Sequence, residues 1–271
     1  MDRIILPMKV HAVKLEYRKQ LLGKIVHGYF KVRNGKNTVI VTFDPDNPKV
    51  NNRRPKTHII TTRTGKDYYE KVLYYAKVKA EYELLLKKWN DTYCFAPPKI
   101  KLPLTQFYDP HKMDNEFFDK QEDCRGRYVT DKPSIGDSAI FKSKNELMAA
   151  DALNELGIPF KYETELFIPE VEEWINPDFL LNFYEIDRCS YLEVLGMNDK
   201  FNYAVNTSTK INSYSKGRYR PGREVIYVHL YDKHSFDKTY FIEQVLSAFN
   251  GLIPDSALEW GSDYSRVIKA S

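Results

Sequence analysis

Cysteine is scarce in this sequence: Cys94, Cys124 and Cys189 are the only three among 271 residues. An odd number at wide spacings provides neither a disulfide framework nor the paired ligands of a zinc cluster. We therefore expect three reduced thiols. The fold then depends on its apolar core, and 42% hydrophobic residues over this length are enough to build one.

Long apolar runs are also missing. No stretch approaches the ~20 residues that a membrane-spanning helix needs. The first apolar segment, Ile4–Leu6, is too short for the core of a secretory signal and is followed directly by Pro7. These absences predict a cytoplasmic protein without a membrane partner.

Several catalytic signatures are absent as well. The sequence has no glycine-rich phosphate loop, no internal repeat and no ligand-like cluster among its six histidines. The residue order suggests no Ser/His/Asp grouping either, so nothing indicates hydrolysis through a protein nucleophile.

The net charge of +4 is unevenly distributed along the chain. Residues 1–100 contain 21 Lys and Arg against 9 Asp and Glu, which leaves 20 against 28 for the remainder. Basic residues alternate with aromatic or polar ones in Tyr17–Lys19, Gly28–Arg33 and Asn51–Lys56. Such segments suit phosphate contacts and base stacking, so we expect a basic surface that binds nucleic acid. The alternative is an ordinary solvated surface.

Periodicity in the first part of the chain indicates a small α+β domain. Helical patterns cover residues 12–22 and 68–89, and strand patterns cover residues 38–43 and 57–62. The lysines of the longer helix form a polar surface that faces either solvent or DNA.

The boundary of this domain is predicted from a loss of pattern. Periodicity breaks at the prolines of residues 96–103, and residues 111–132 are charged and weakly patterned, which is typical of a linker. We place the boundary near residue 130, which gives domains 1–130 and 131–271.

Three carboxylates in the second domain, Glu146, Asp178 and Glu193, fall on successive predicted elements. Residues 144–157 have apolar residues at helical intervals and a closing glycine, which places Glu146 in the first turn of a helix. Asp178 opens an extended run, and Glu193 is the one acid in the apolar strand 189–196. A lone acid in such a strand has to be compensated by a proton, a cation or a metal.

Carboxylates on two neighbouring strands, with a third from a helix, are hard oxygen ligands of the kind that Mg²⁺ accepts. A metal held there would neutralise a scissile phosphate and lower the pKa of a bound water. Phosphodiester hydrolysis is therefore the predicted chemistry, with Mn²⁺ as a substitute for Mg²⁺.

The predicted order of elements from residue 144 onward is helix, three strands, helix, strand, helix. After the strand of Glu193 it continues through a helix at residues 198–214, a strand at 224–230 and a helix at 239–249. Together with Pro177-Asp178 and Glu193-Val194-Leu195, this order resembles the PD-(D/E)XK nuclease-like phosphodiesterases. The resemblance implies a restriction-endonuclease-like αβββαβ core, in the α/β class, preceded by the basic α+β domain. It also implies Glu146, Asp178 and Glu193 as metal ligands.

One position departs from that family pattern. The family has a lysine two residues after the strand acid, and this sequence has Leu195 there. Some members supply the amine from the following helix. In this sequence Lys210 lies on the corresponding predicted helix and shares a face with Tyr203, Thr207 and Tyr214. Lys210 is therefore our candidate for the catalytic amine, with Lys144 and Lys142 as weaker substitutes.

Each site residue also has an ordinary structural interpretation. Asp178 would then be a plain strand start, Glu193 an arginine-paired edge acid, and Glu146 an acid favoured by the helix dipole. Lys210 would lie on a solvated helix face. Glu163 and Glu165 flank Thr164 on the first strand, and we leave both out of the predicted site because acids on an exposed strand face are common.

The sequence thus predicts a magnesium-dependent endonuclease that acts on nucleic acid, with double-stranded DNA as the expected substrate. The alternative is an inactive nuclease-like protein that binds nucleic acid or assembles a complex. A third interpretation is a structural protein whose basic half binds an acidic partner. A homodimer or larger nucleoprotein complex would suit the cutting of both strands.

Overall fold

The computed structural model describes residues 4–104, 109–124, 141–196, 201–230, 236–262 and 264, with only the backbone for residues 201–203. The chain has a mixed α/β architecture in two compact units. The N-terminal unit comprises His11–Ile100 with Leu258–Ser271, and the C-terminal unit comprises Met1–Val10 with Lys101–Ala257. No helix in the described ranges is long and apolar enough to cross a membrane.

The secondary structure alternates between short strands and longer helices. The helices are α1 (Met8–Leu22), α2 (Arg63–Thr92), α3 (Asn115–Lys120), α4 (Lys144–Leu156), α5 (Phe201–Lys216) and α6 (Lys238–Gly251). The strands are β1 (His27–Arg33), β2 (Lys36–Phe43), β3 (Lys56–Ile59), β4 (Lys99–Ile100), β5 (Phe160–Tyr162), β6 (Leu166–Ile168), β7 (Glu173–Ile175), β8 (Phe179–Phe183), β9 (Arg188–Leu195), β10 (Val225–His229) and β11 (Leu258–Glu259).

The division between the two units falls between Ile100 and Lys101, not near residue 130, a position that lies outside the described residues. The physical reason lies in the apolar side chains of residues 109–124. Met113 and Phe118 are buried in one core cluster with Tyr191 and Tyr214 of the C-terminal unit. The described part of the segment that the sequence predicts as a linker, residues 111–124, therefore contributes to that unit's core.

The N-terminal unit contains an antiparallel sheet in the order β1-β2-β3, packed against α2. Val39 and Val41 of β2 contact Val72 of α2 in its core. The sequence predicts β2, β3 and most of α2 but not β1. Helix α2 begins at Arg63, before the predicted start at Tyr68, because Thr62 Oγ1 caps it by accepting from the Gly65 amide at 3.0 Å.

The C-terminal unit is built around a four-stranded sheet in the order β10-β9-β8-β5. Strand β8 is antiparallel to both of its neighbours, β5 and β9, and β10 lies parallel to β9. The parallel pair requires a crossover, which α5 provides. All of β8 and nearly all of β9 are buried, so any charged side chain on them is desolvated.

The first predicted strand of this unit, residues 158–168, is two strands. Glu163 adopts the left-handed region, with φ of 48°, and separates β5 from β6. Strand β5 pairs with β8, whereas β6 pairs with β7 in a separate two-stranded sheet. Alternating apolar residues on both sides of Glu163 conceal the break, because each short strand keeps the period of two.

Helix α4 ends at Gly157, which has φ of 63° and donates its amide to Leu153 and Asn154 carbonyls. Alanine tolerates this conformation poorly. We expect Gly157→Ala to lower the free energy of unfolding by about 1 kcal/mol, measured by urea denaturation. Gly251→Ala is the matched control, since Gly251 closes α6 without a positive φ and a Cβ there meets no atom within 4 Å. It should leave stability unchanged or raise it, and equal losses at both glycines would contradict this account.

Candidate functional site

A cavity of about 420 Å³ opens beside the start of β8 and the end of β9 in the C-terminal unit. The N-terminus of α4 and the middle of α5 form its other walls. Four charged candidates from the sequence, Glu146, Asp178, Glu193 and Lys210, all line it. The other residues that contribute to its wall are Lys142, Ser143, Lys144, Asn145, Glu163, Asn176, Val194, Leu195, Gly196, Asn206 and Thr207.

Asp178 and Glu193 are brought together by the register of β8 and β9. Phe179 pairs with Leu192, so one further step along the antiparallel register sets Asp178 opposite Glu193. The Val194 amide donates to Asp178 Oδ2 at 2.7 Å and fixes that carboxylate at the strand end. No other hydrogen bond to the Asp178 side chain occurs within the described ranges, so Oδ1 is available to a ligand.

Lys210 reaches this pair of acids from α5. Its Nζ donates to Glu193 Oε2 at 2.6 Å and to the Asn176 carbonyl at 2.7 Å. Tyr214, one turn further along α5, donates to Glu193 Oε1 at 2.5 Å. Both oxygens of Glu193 are therefore hydrogen-bonded to α5, by residues four positions apart on the same helix face.

Leu195 lies in the cavity wall on the same strand face as Glu193, since alternate residues of a strand share a face. It is buried. The amine that the family pattern places at this position is absent from β9, and Lys210 provides an ammonium beside Glu193 instead. Lys144 also lines the cavity, but its side chain is exposed.

Glu146 occupies the third position of α4, as the sequence predicts, and forms a modified capping box there, in which its side chain accepts from the Ser143 hydroxyl and the Lys142 amide. Ser143 Oγ donates to its Oε1 at 2.7 Å and accepts from its backbone amide at 3.2 Å. The Lys142 amide and the Tyr162 hydroxyl both donate to Oε2. This arrangement satisfies the helix N-terminus and at the same time holds the carboxylate at the edge of the cavity.

Glu163 is the cavity residue that the sequence interpretation leaves out. Its side chain is 6% exposed and forms an ion pair with Lys142 through Oε1, while Oε2 is buried without a hydrogen bond among the described residues. Its amide donates to the Asp178 carbonyl at 3.1 Å. The alternation of the strand gives no signal for this role, because Glu165 occupies an equivalent position in the sequence and is exposed.

The charges in the cavity are poorly balanced. Burial raises the pKa of Asp178 well above its usual value, and the nearby charge of Glu193 raises it further, against the opposing effect of Lys210. Burial also raises the pKa of Glu193, although Lys210 and Tyr214 oppose that shift. Strongly perturbed acids in a cavity are common at functional sites. Two desolvated carboxylates here share one ammonium.

These oxygens suit a hard divalent cation in their chemistry. An excess of buried negative charge, an unpaired Glu163 Oε2 and an available Asp178 Oδ1 all favour a positive ligand. Within the ranges that the structure describes, however, no three His, Cys, Asp or Glu side chains are gathered as a metal-binding group. Glu193 is held instead by hydrogen bonds from α5, and Glu146 is held by the hydrogen bonds of its capping box.

Comparison with known proteins adds no family to this geometry: no family model, curated protein or solved structure matches the chain.

The raised pKa of Asp178 predicts how stability depends on pH. Because the folded chain binds this proton more tightly than the unfolded chain, the stabilising contribution is complete below the ordinary pKa of 3.8 and is lost as pH rises through the raised value. We expect Asp178→Asn to stabilise the fold by roughly 0.5–2 kcal/mol at neutral pH.

Urea denaturation at acidic and at slightly alkaline pH measures this effect. The gain from Asp178→Asn should be larger at the alkaline pH, where the native carboxylate is charged. Asp151→Asn, an exposed substitution on α4, is the control and should change stability little at either pH. A gain of the same size at both pH values would show that Asp178 carries no such cost.

Proposed function

We propose that this protein is a magnesium-dependent phosphodiesterase, an endonuclease whose substrate is double-stranded DNA. The observation that carries the proposal is the convergence of Asp178, Glu193 and Lys210 in one cavity. A buried carboxylate, a half-buried carboxylate opposite it and an adjacent ammonium are groups that metal-dependent phosphodiester hydrolysis uses. The strand ends and the helix fix their positions.

The topology of the C-terminal unit supports the proposed nuclease-like core. Helix α4, strands β5, β8 and β9, helix α5 and strand β10 follow one another in the order of the αβββαβ core, with the two-stranded β6-β7 sheet inserted after β5. In this proposal Asp178, directly before β8, and Glu193, near the end of β9, correspond to the two acids of the PD-(D/E)XK pattern. The amine from α5 is the departure.

In this proposal Asp178 and Glu193 hold the cation, and Glu146 completes or tunes its shell. A bound Mg²⁺ would supply charge neutralisation at the phosphate and acidify a water. Lys210 keeps a positive charge beside the reacting phosphate and stabilises the negative charge that develops in the transition state, or orients the attacking water. Tyr214 keeps Glu193 in place through its hydroxyl.

Nucleic acid as the partner is supported by the charge of the N-terminal part, which has 21 Lys and Arg against 9 Asp and Glu in residues 1–100. A basic surface of this kind attracts a polyanion and releases counterions on binding. A homodimer that cuts both strands stays a prediction.

Cleavage of supercoiled plasmid, linear duplex, single-stranded DNA and RNA tests the proposal. With Mg²⁺ or Mn²⁺ the wild type should cut duplex DNA, and EDTA should abolish cutting. The double variant Asp178→Asn, Glu193→Gln should lose at least about 10³-fold in rate, because it removes the carboxylate charges that hold the cation. Asp151→Asn should cut like the wild type.

Lys210→Ala, assayed beside Lys144→Ala, tests the amine. We expect a loss of about 10²–10³-fold in cleavage rate for Lys210→Ala, since it removes a donor that acts on charge in the transition state. Lys144→Ala should change the rate less than tenfold. Unchanged cleavage by Lys210→Ala would remove this lysine from the mechanism.

A second candidate function is a nuclease-like nucleic-acid-binding or assembly protein without turnover. The observation that favours it is the engagement of both Glu193 oxygens by Lys210 and Tyr214, which neutralises the carboxylate without a metal. Salt-sensitive DNA binding with no cleavage in any cation by the wild type would support this candidate over the nuclease.

A further inference from the structure

The hairpin formed by β1 and β2 is unusual in its exposure. The last five residues of β1, from Tyr29 to Arg33, are all exposed, although β1 is a strand of a sheet that packs on α2. Tyr29 is 51% exposed and Val32 is 65% exposed. A strand that only completed a core would bury every second residue.

One face of this hairpin concentrates positive charge. Tyr29, Lys31 and Arg33 lie on the face of β1 that points away from α2, because side chains alternate along a strand. Phe30 lies on the other face and contacts Tyr69 of α2, with 5.0 Å between the ring centroids. Arg33 pairs across the strands with Lys36, which adds a third cation to the same face. This face, formed by Tyr29, Lys31, Arg33 and Lys36, is called the hairpin face below.

No carboxylate near in sequence compensates these cations. Between Glu16 and Asp44 the chain contains six Lys and Arg and no Asp or Glu. A solvated surface usually mixes charges of both signs, so a hairpin without any acid is suited to a polyanion.

The shape of the hairpin indicates which kind of polyanion it can bind. Asn34 and Gly35 both have positive φ, of 50° and 72°, and make the tight two-residue turn that keeps the two strands narrow at their tip. Strand β2 pairs with β3 only as far as Thr38. Between Thr38 and the turn, the hairpin consists of β1 and β2 alone. A two-stranded ribbon fits the major groove of B-form DNA, which is about 12 Å wide.

We propose that the hairpin face is a duplex-DNA-binding element, with its tip in the major groove and Lys31, Arg33 and Lys36 at phosphates. The proposal deepens the proposed function, on which it rests for DNA as the partner. Tyr29, which is exposed, adds an apolar contact at the base of the ribbon.

The test is the salt dependence of binding to a short labelled DNA duplex by the full chain, measured by fluorescence anisotropy with EDTA present. Each lost phosphate contact reduces the slope of log affinity against log salt by about 0.9, so the triple variant Lys31→Ala, Arg33→Ala, Lys36→Ala should lose about 2.7 from the slope. The wild type should therefore weaken about 40-fold more than the variant between about 50 and 200 mM salt.

The control is Lys77→Ala, Lys79→Ala, Lys87→Ala, which removes the same number of charges from exposed positions of α2 in the same unit. It should lower the slope by less than about 1. Equal losses in the two triple variants would overturn the proposal, because binding would then follow net charge. Tighter binding of the wild type to single-stranded than to duplex DNA would also overturn it.

The outcome separates the hairpin from the cavity. If the wild type cuts duplex DNA and the hairpin variant has the same salt slope as the wild type, the hairpin proposal alone is overturned. If the hairpin variant has the reduced slope and the wild type cuts nothing, the result would support the hairpin and overturn the nuclease.

Discussion

Lys210 donates to Glu193 Oε2 at 2.6 Å, and the geometry of the cavity depends on this ion pair. A carboxylate that is 2% exposed on a buried strand has a large desolvation cost, which a paired ammonium offsets. The same Nζ donates to the Asn176 carbonyl at 2.7 Å, just before the strand of Asp178, so one side chain connects α5 with the approaches to both β8 and β9. Position 195 is then free to be apolar.

The other acids of the cavity lower the local stability of the fold. Asp178 and Glu193 are desolvated side by side, and Glu163 combines a left-handed backbone with a buried, unpaired carboxylate oxygen. Each of these features costs free energy that an apolar or amide side chain would not. Costs of this kind, concentrated in one cavity, are the physical basis for regarding it as a functional site rather than a structural ion-pair network.

The two units have different electrostatic roles. The C-terminal unit concentrates acids at one cavity, whereas the N-terminal part of the chain has the excess of cations and presents several of them on an exposed hairpin. In the proposed function, the cations of the N-terminal unit bind the polyanion, and the acids of the C-terminal unit hold the metal ion.

Much of the local structure follows from the sequence by itself. Glycine at position 157 ends α4, Ser143 and Glu146 form its capping box, and apolar runs define β8, β9 and β10, because caps and periodicity act over a few residues. The sequence also shows that Glu193 is the one acid of β9 and that Leu195 stands where the family pattern has a lysine. Only tertiary structure decided that Lys210 reaches Glu193, that Glu163 turns into the cavity while Glu165 stays exposed, and that residues 109–124 belong to the C-terminal core. These outcomes depend on strand register and on packing between residues far apart in the chain, which no local pattern encodes.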